Sequence, residues 1–277
     1  MIVKPKLVTL QYYNTYYFAN LIHNVLLHPE DYLRSLDEFF GDLQFQKFLS
    51  QFPQTSSLHL FIEFALNAVM YEDVDDIAVD TAVNVPDQEP LWVNSALKFH
   101  NIGHPTFREW SASAGYDLDE TDEDVLHEYI AALYDDGALE QLQEQMIDEI
   151  FFLMFLNREF LRKFHEMIAF YIADVAMDSL PAQQRQLFKS DGVLARCHIP
   201  TWVQRAVFYR DRGACALCNQ DISGLVSIGN AKHFDHIVAL ANGGINCVTN
   251  LQLLCDACNL KKGAQDSATS VKYESWY

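Results

Sequence analysis

"HFDHIVALANGGINCVTNLQLLCDACNLKKG", residues 233–263, brings an Asp-His pair, a Gly-Gly turn, asparagine amides and a C-x-x-C running into Asn-x-x-Lys into one short segment. Thiolates suit soft or borderline metals and carboxylate or amide oxygens suit hard ones, so the mixture points to metal chemistry with two different metals. The order of elements can be read from the same residues. "KHFDHIVAL" alternates as a strand entering from solvent does, "ANGG" supplies a turn, "NCVTNLQLLC" leads back, and "DACNLKKG" begins a final helix.

The thiolates have counterparts upstream. Cys215 and Cys218 form a second C-x-x-C, separated from Cys255 and Cys258 by 36 residues. Four thiolates from two knuckles complete a tetrahedral zinc site with no open position, which makes this metal structural. A single pair would fit redox chemistry as well; two pairs in one short domain favour zinc. The other two cysteines, Cys197 and Cys247, lack a paired spacing and read as small buried residues. Ahead of the first knuckle, the proline-started stretch at 200–212 reads as a helix with Trp202, Val203, Val207 and Phe208 on one apolar face.

Taken together, the segment from Ile199 to about Gln265 resembles the zinc-containing HNH endonucleases, which have the ββα-metal fold. The shared residues are V-x-x-R-D before the first C-x-x-C, then D-H-I, the Gly-Gly turn, N-L-Q-x-L-C and C-N-x-x-K-G. The last histidine of the family name is asparagine here, as in phage Holliday-junction resolvases and several restriction nucleases. Ala239 stands where many relatives carry proline. The resemblance implies a nuclease that cuts DNA, and the residues suit that chemistry. Phosphodiester hydrolysis needs an activated water, a cation for the charge developing on phosphorus, and stabilisation of the leaving oxygen. His236, an imidazole titrating at about 6 to 7, suits the general base. Asp235 and the side-chain oxygen of Asn259 supply hard ligands for one Mg²⁺ or Mn²⁺ and leave positions for phosphate and water. Asn250 resembles the central asparagine of the family, which ties down the loop carrying the histidine. Lys262 and Arg210 are assigned to phosphates. His233, two residues from Asp235, is read as a substrate contact or an auxiliary ligand.

The rest of the chain is different in kind. At 277 residues, half of them hydrophobic, the protein has room for two domains and a sizeable core. Its longest apolar run, "IFFLMFL" at 150–156, is far short of a bilayer span, and its amino terminus turns polar too early for a signal peptide, so no membrane association and a cytoplasmic setting are expected. Residues 1–190 hold 11 Lys/Arg against 31 Asp/Glu, whereas residues 191–277 hold 8 against 7 and all six cysteines. This predicts an acidic, mostly helical domain over 1–190 and the nuclease domain over 191–277. Apolar residues recur at helical spacing in "YYFANLIHNVLL", in "LHLFIEFALNAVMY" and across 137–178, and Thr121 with Asp124 reads as a capping box opening one helix. "DVDDIAVDTAVN", 73–84, lacks the glycine and the final glutamate of a calcium loop and is read as a solvated loop. His100 and His104 are read as ordinary histidines, and the aromatic run "YYNTYYF" as helix-face packing.

The expected fold is therefore a mainly α N-terminal domain plus a small zinc-bound ββα-metal C-terminal domain. The favoured function is a metal-dependent endonuclease; the competing one is a zinc-ribbon binding module that kept the fold and lost the chemistry. Effectors of anti-phage defence and restriction systems join such a nuclease to a sensing or partner domain, and by that analogy the acidic part binds a protein partner or regulates the enzyme.

Overall fold

The structure, a computed structural model, describes residues 10–41, 44–72, 74, 76–85, 88–224, 232–264 and 267–273. It is mainly helical, with a small C-terminal region of short sheets and clustered cysteines. In chain order the helices are α1 (Thr15–Leu27), α2 (Leu33–Phe40), α3 (Ser57–Glu72), α4 (Asp76–Asn84), α5 (Trp92–Phe99) and α6 (Phe107–Ala114). They continue as α7 (Glu123–Asp135), α8 (Ala138–Phe155), α9 (Arg158–Ala173), α10 (Ala182–Arg185), α11 (Thr201–Arg210) and α12 (Asp256–Lys262). The strands are β1 (Phe188–Ser190), β2 (Val193–Leu194), β3 (Lys232–His236) and β4 (Leu251–Cys255). Among the described residues no helix is long and apolar enough to cross a membrane.

The long periodic stretch at 137–178 is two helices rather than one. Asn157 separates them, its side-chain oxygen accepting from Phe160 N at 3.1 Å and so capping α9. The apolar stripe runs through both: Leu139, Leu142, Met146 and Ile150 on α8, and Leu161, Phe164, Ile168 and Ile172 on α9, are all buried. The expected cap at Thr121 moves by one residue. Asp122 caps α7 by accepting from Val125 N at 3.0 Å, while Thr121 N closes the preceding turn on Leu118 O. An aspartate in extended conformation both satisfies a free N–H and places negative charge at the helix's positive end. The stretch at 73–84, read from the sequence as a solvated loop, also differs from expectation. Asp76–Asn84 is helix α4, with Ala78 and Ala82 facing inward, while Asp73 and Asp75 lie outside the described residues.

The chain forms two compact units, one of residues 1–22 and 61–151, the other of 23–60 and 152–277. The first has a core that includes Leu66, Leu97, Leu126, Leu139 and Ile150, with Tyr129 buried among them. The Tyr129 hydroxyl donates to Pro105 O at 2.8 Å and accepts from Asn94 Nδ2 at 2.6 Å. His100 is buried there and faces the equally buried Glu149 at 3.3 Å. The second unit includes residues on both sides of 191, where the charge balance changes. It takes in α9, and α9 touches the C-terminal segment through its side chains and backbone. Its His165 meets Thr249 Oγ1 at 2.8 Å, and its Arg158 meets Asp211 at 3.4 Å. Gly243, at φ +80°, lies where a Cβ would stand 2.5 Å from Ala169 O, so the Gly-Gly turn seats directly on the α9 backbone.

Within this unit β3 and β4 pair antiparallel from Lys232↔Cys255 to His236↔Leu251. The hairpin thus puts a thiol at one end and the Asp-His pair at the other, roughly 13 Å apart at strand rise. The α11 face differs in part from the expectation: Val203 and Val207 are fully buried, but Trp202 is 38 % exposed and buried Arg210 takes the next inward position.

Candidate active site and metal centre

Two C-x-x-C knuckles meet at the β4 end of the hairpin. The sulfurs of Cys215, Cys218, Cys255 and Cys258 all lie within 4.8 Å of one another, and those of Cys218 and Cys255 are 3.7 Å apart. Sulfurs about 2.3 Å from a tetrahedral zinc would sit about 3.8 Å apart, so a four-sulfur cluster of this size suits that ion. Burial pushes the Cys215 thiol up, but backbone N–H groups of Cys255, Cys218 and Leu217 outweigh it and hold it down to about 7. Burial and the neighbouring sulfurs push Cys258 well up. Four thiolates cannot share this space unaided, and a dication is the partner that lets all of them ionise. Cys197 is half-buried and Cys247 buried; neither joins the cluster.

At the other end of the hairpin Asp235, His236 and Asn259 line one cavity of about 350 Å³. His236 is the last residue of β3 and is 3 % exposed. Its Nε2 faces Asn246 Oδ1 at 3.2 Å. The orientation of that amide is set on its other side, where Asn246 Nδ2 donates to Ala195 O at 2.9 Å. The oxygen must therefore be the atom facing the ring, so Nε2 carries the proton and Nδ1 the lone pair. Burial holds the His236 pKa down to about 4, with Arg196 and Lys262 acting the same way against Asn246 and Asp235. The sequence placed this titration near neutrality; the structure makes the ring neutral throughout the physiological range.

Asn250 is wholly buried behind the histidine. Its side chain accepts from Val238 N at 2.9 Å and donates to Val238 O and Ile245 O, both at 3.0 Å, while its own carbonyl accepts from Ile237 N at 2.6 Å. These four bonds close the loop from β3 to the Gly-Gly turn. Nothing in Ala239's place needs a proline ring: its φ of −61° and ψ of 145° already match the conformation proline prefers.

Asp235 has a cationic neighbour. Lys262 Nζ lies 2.9 Å from its Oδ2 and donates to His236 O at 2.8 Å. The ammonium is aligned on the carbonyl, so Oδ2 gains charge compensation without an aligned hydrogen bond. An oxygen of this kind, opening on the same cavity as Asn259, fits a hard divalent cation.

The three residues assigned to substrate fall in different places. Lys262 has a side chain only 1 % exposed and is committed to Asp235. Arg210 is a correction. Its side chain is 1 % exposed and lies against Asp211, Nε to Oδ1 at 2.9 Å and Nη2 to Oδ2 at 3.0 Å, with a further bond to Leu251 O at 2.6 Å. A guanidinium buried and paired in this way braces α11 against β4 and has no path to a phosphate. His233 is half-exposed and faces Asp256 at 3.1 Å, near the start of α12. Sequence reading missed Asn246, and it missed Lys189 and Arg196, which line the cavity from the β1–β2 side.

Comparison with known families returns one match: residues 215–265 match the HNH endonuclease family, and the N-terminal part matches none. Neither a curated protein nor a solved structure matches the chain.

Proposed function

We propose that this protein is a metal-dependent endonuclease that hydrolyses DNA phosphodiester bonds with an HNH site, held together by a structural zinc. The observation that carries the reading is that Asp235, His236 and Asn259 line a single cavity, with the histidine's proton on the nitrogen facing Asn246. The lone pair on Nδ1 can then take a proton from a water as that water attacks phosphorus. Asn246 keeps the ring in this tautomer and orientation. Asp235 Oδ2 and the Asn259 side-chain oxygen would hold Mg²⁺ or Mn²⁺. That ion, when bound, supplies positive charge for the phosphoryl group and the leaving 3′ oxygen. Lys262, which donates to His236 O beside Asp235, keeps the histidine backbone in place.

Four thiols kept free for one metal fit a reducing, cytoplasmic setting. An effector role in anti-phage defence or restriction, with the acidic helical part as regulator or protein-binding module, is the setting proposed by analogy.

The test is nicking of supercoiled plasmid by the full chain in Mg²⁺ and in Mn²⁺. His236→Ala should lose at least about 100-fold in rate, the lower bound for removing a general base, with zinc content unchanged. Absence of cleavage with either ion would favour the inactive zinc-ribbon module instead.

A further inference from the structure

The residues that meet the phosphates remain to be placed, because the cations nominated from the sequence are occupied internally. Arg210 is paired with Asp211, and Lys262 with Asp235. Arg158 is spent on Asp211 and on the carbonyls of Ser270 and Lys272. Arg162 is clamped between Glu159 and Glu166, and Lys47 sits over the Phe39 ring. Two other cations of the same unit line the catalytic cavity, Lys189 on β1 and Arg196 just after β2. Both are exposed, and neither has a carboxylate partner among the described residues.

Their support is rigid. Ala195 N donates to Leu187 O at 2.8 Å, closing the hairpin between them, and Ala195 O accepts from Asn246 Nδ2. Arg196 is thus one residue from the chain of bonds that orients His236. At the hairpin's turn Gly192, φ +65°, donates to Val175 O at 2.9 Å, and a Cβ there would stand 2.3 Å from Ala173 O. The turn is therefore pressed onto the end of α9, where no larger residue fits.

We infer that Lys189 and Arg196 form the phosphate-binding wall of this site, gripping the backbone of the DNA strand that Asp235, His236 and Asn259 act on. The inference rests on the endonuclease reading for its substrate, and it puts the grip outside the segment that matches the HNH family. The guanidinium can hold a phosphate through two N–H groups and the lysine acts as a point charge beside it. Neither reads base identity, so the contact fixes strand position without sequence preference.

The experiment uses the full chain, zinc-loaded, and a short fluorescein-labelled DNA duplex without added Mg²⁺ or Mn²⁺, read by anisotropy across a salt series. Each phosphate contact contributes about 0.9 to the slope of log affinity against log salt. Lys189→Gln and Arg196→Gln should each lower the slope by about 0.9 and the double variant by about 1.8. Lys98→Gln, an exposed lysine of the other unit, should leave it unchanged. Wild-type slope in the double variant, or no duplex binding by the wild type, overturns the inference. So does a matched RNA duplex that binds with this dependence while DNA does not. Cleavage is scored separately: a wild type that nicks plasmid while the double variant keeps its slope leaves the nuclease standing without this grip. A slope that depends on both residues with no cleavage by the wild type leaves the grip standing without the nuclease.

Discussion

Replacing Asp211 with alanine should damage the nuclease unit more than any exposed substitution in it. The carboxylate is buried and meets three donors: Arg210, Arg158 and Leu253 N, the last at 2.8 Å. Removing it leaves Arg210, 1 % exposed, and Arg158, 6 % exposed, without a counter-ion. Breaking a buried pair costs about 3–5 kcal/mol, because the surviving charge stays desolvated. The orphaned Leu253 N–H adds about 1–3 kcal/mol less whatever relaxation recovers. About 4 kcal/mol is a reasonable expectation, a large part of a typical domain's stability of roughly 5–15 kcal/mol. Zinc release to a colorimetric chelator, followed against urea, reports on this unit alone. With a slope of about 2 kcal/mol per molar, the midpoint should fall by about 2 M. Converting both partners, Arg210→Met with Asp211→Leu, should cost less than the sum of the single changes, since the Arg210 charge goes with its counter-ion and only Arg158 is left without one. A shift below about 0.5 M for Asp211→Ala, or strictly additive single changes, would refute the buried-charge argument.

Other outcomes follow from the site. Elemental analysis should find about one zinc per chain, and Cys258→Ser should abolish it together with the urea transition of the nuclease unit. Asn250→Ala removes three buried side-chain bonds, so it should lower stability by about 3 kcal/mol and slow plasmid nicking by more than tenfold, both measurable on one preparation. His165 supplies a pH dependence: burial, with the charges of His236 and Arg210, holds its pKa down to about 3, while the unfolded chain takes up that proton near 6.5. Stability is therefore fully present above about pH 6.5 and should fall by up to about 1.4 kcal/mol per pH unit below it. In His165→Gln, urea midpoints between about pH 5 and 6.5 should fall less steeply; an unchanged slope would remove His165 from the account.

The parts of the site legible in the sequence are those whose chemistry and spacing lie in one short segment. Cys255 and Cys258, the Asp-His pair closing β3, and Asn259 one turn from Lys262 on α12 all fall within residues 233–263, and the C-x-x-C spacing repeats at Cys215 and Cys218. What spacing does not reveal is burial. Arg210 and Asp211 are neighbours in sequence, and adjacent positions on a helix do not face each other. Asp211 lies just past the end of α11, where its side chain is free to turn back onto the guanidinium. Lys189, Arg196 and Asn246 were out of reach for another reason. Their placement depends on the β1–β2 hairpin reaching the loop after β3, which no local pattern encodes. The unit boundary was obscured in the same way, because the C-terminal segment packs on α9, whose own periodicity reads like that of any amphipathic helix.

That boundary changes what the charge of the protein can be asked to explain. Counted over the compact units, residues 1–22 and 61–151 carry 4 Lys/Arg against 22 Asp/Glu, a net of −18, while 23–60 and 152–277 carry 15 against 16, a net of −1. The acidic excess is thus denser in the first unit, −18 over 113 residues, than over residues 1–190, although the two units differ less in net charge than the two halves do. A fragment of residues 191–277 would leave behind Lys189, Arg158 and His165, and would test missing contacts together with missing charge. Substitution in the intact chain separates the two. Asp119, Glu120, Glu140 and Glu144 are exposed, and exchanging them for Asn or Gln raises the net charge by four without touching the nuclease unit. If the acidic unit weakens DNA binding through its field, this variant should bind a duplex more tightly at about 50 mM salt and gain little at about 200 mM, where the screening length is half as long. Cleavage of plasmid under subsaturating enzyme should follow the same pattern. Affinity identical to that of the unsubstituted chain at both salts would reduce the acidic unit to a solvated surface with no electrostatic hold on the nuclease.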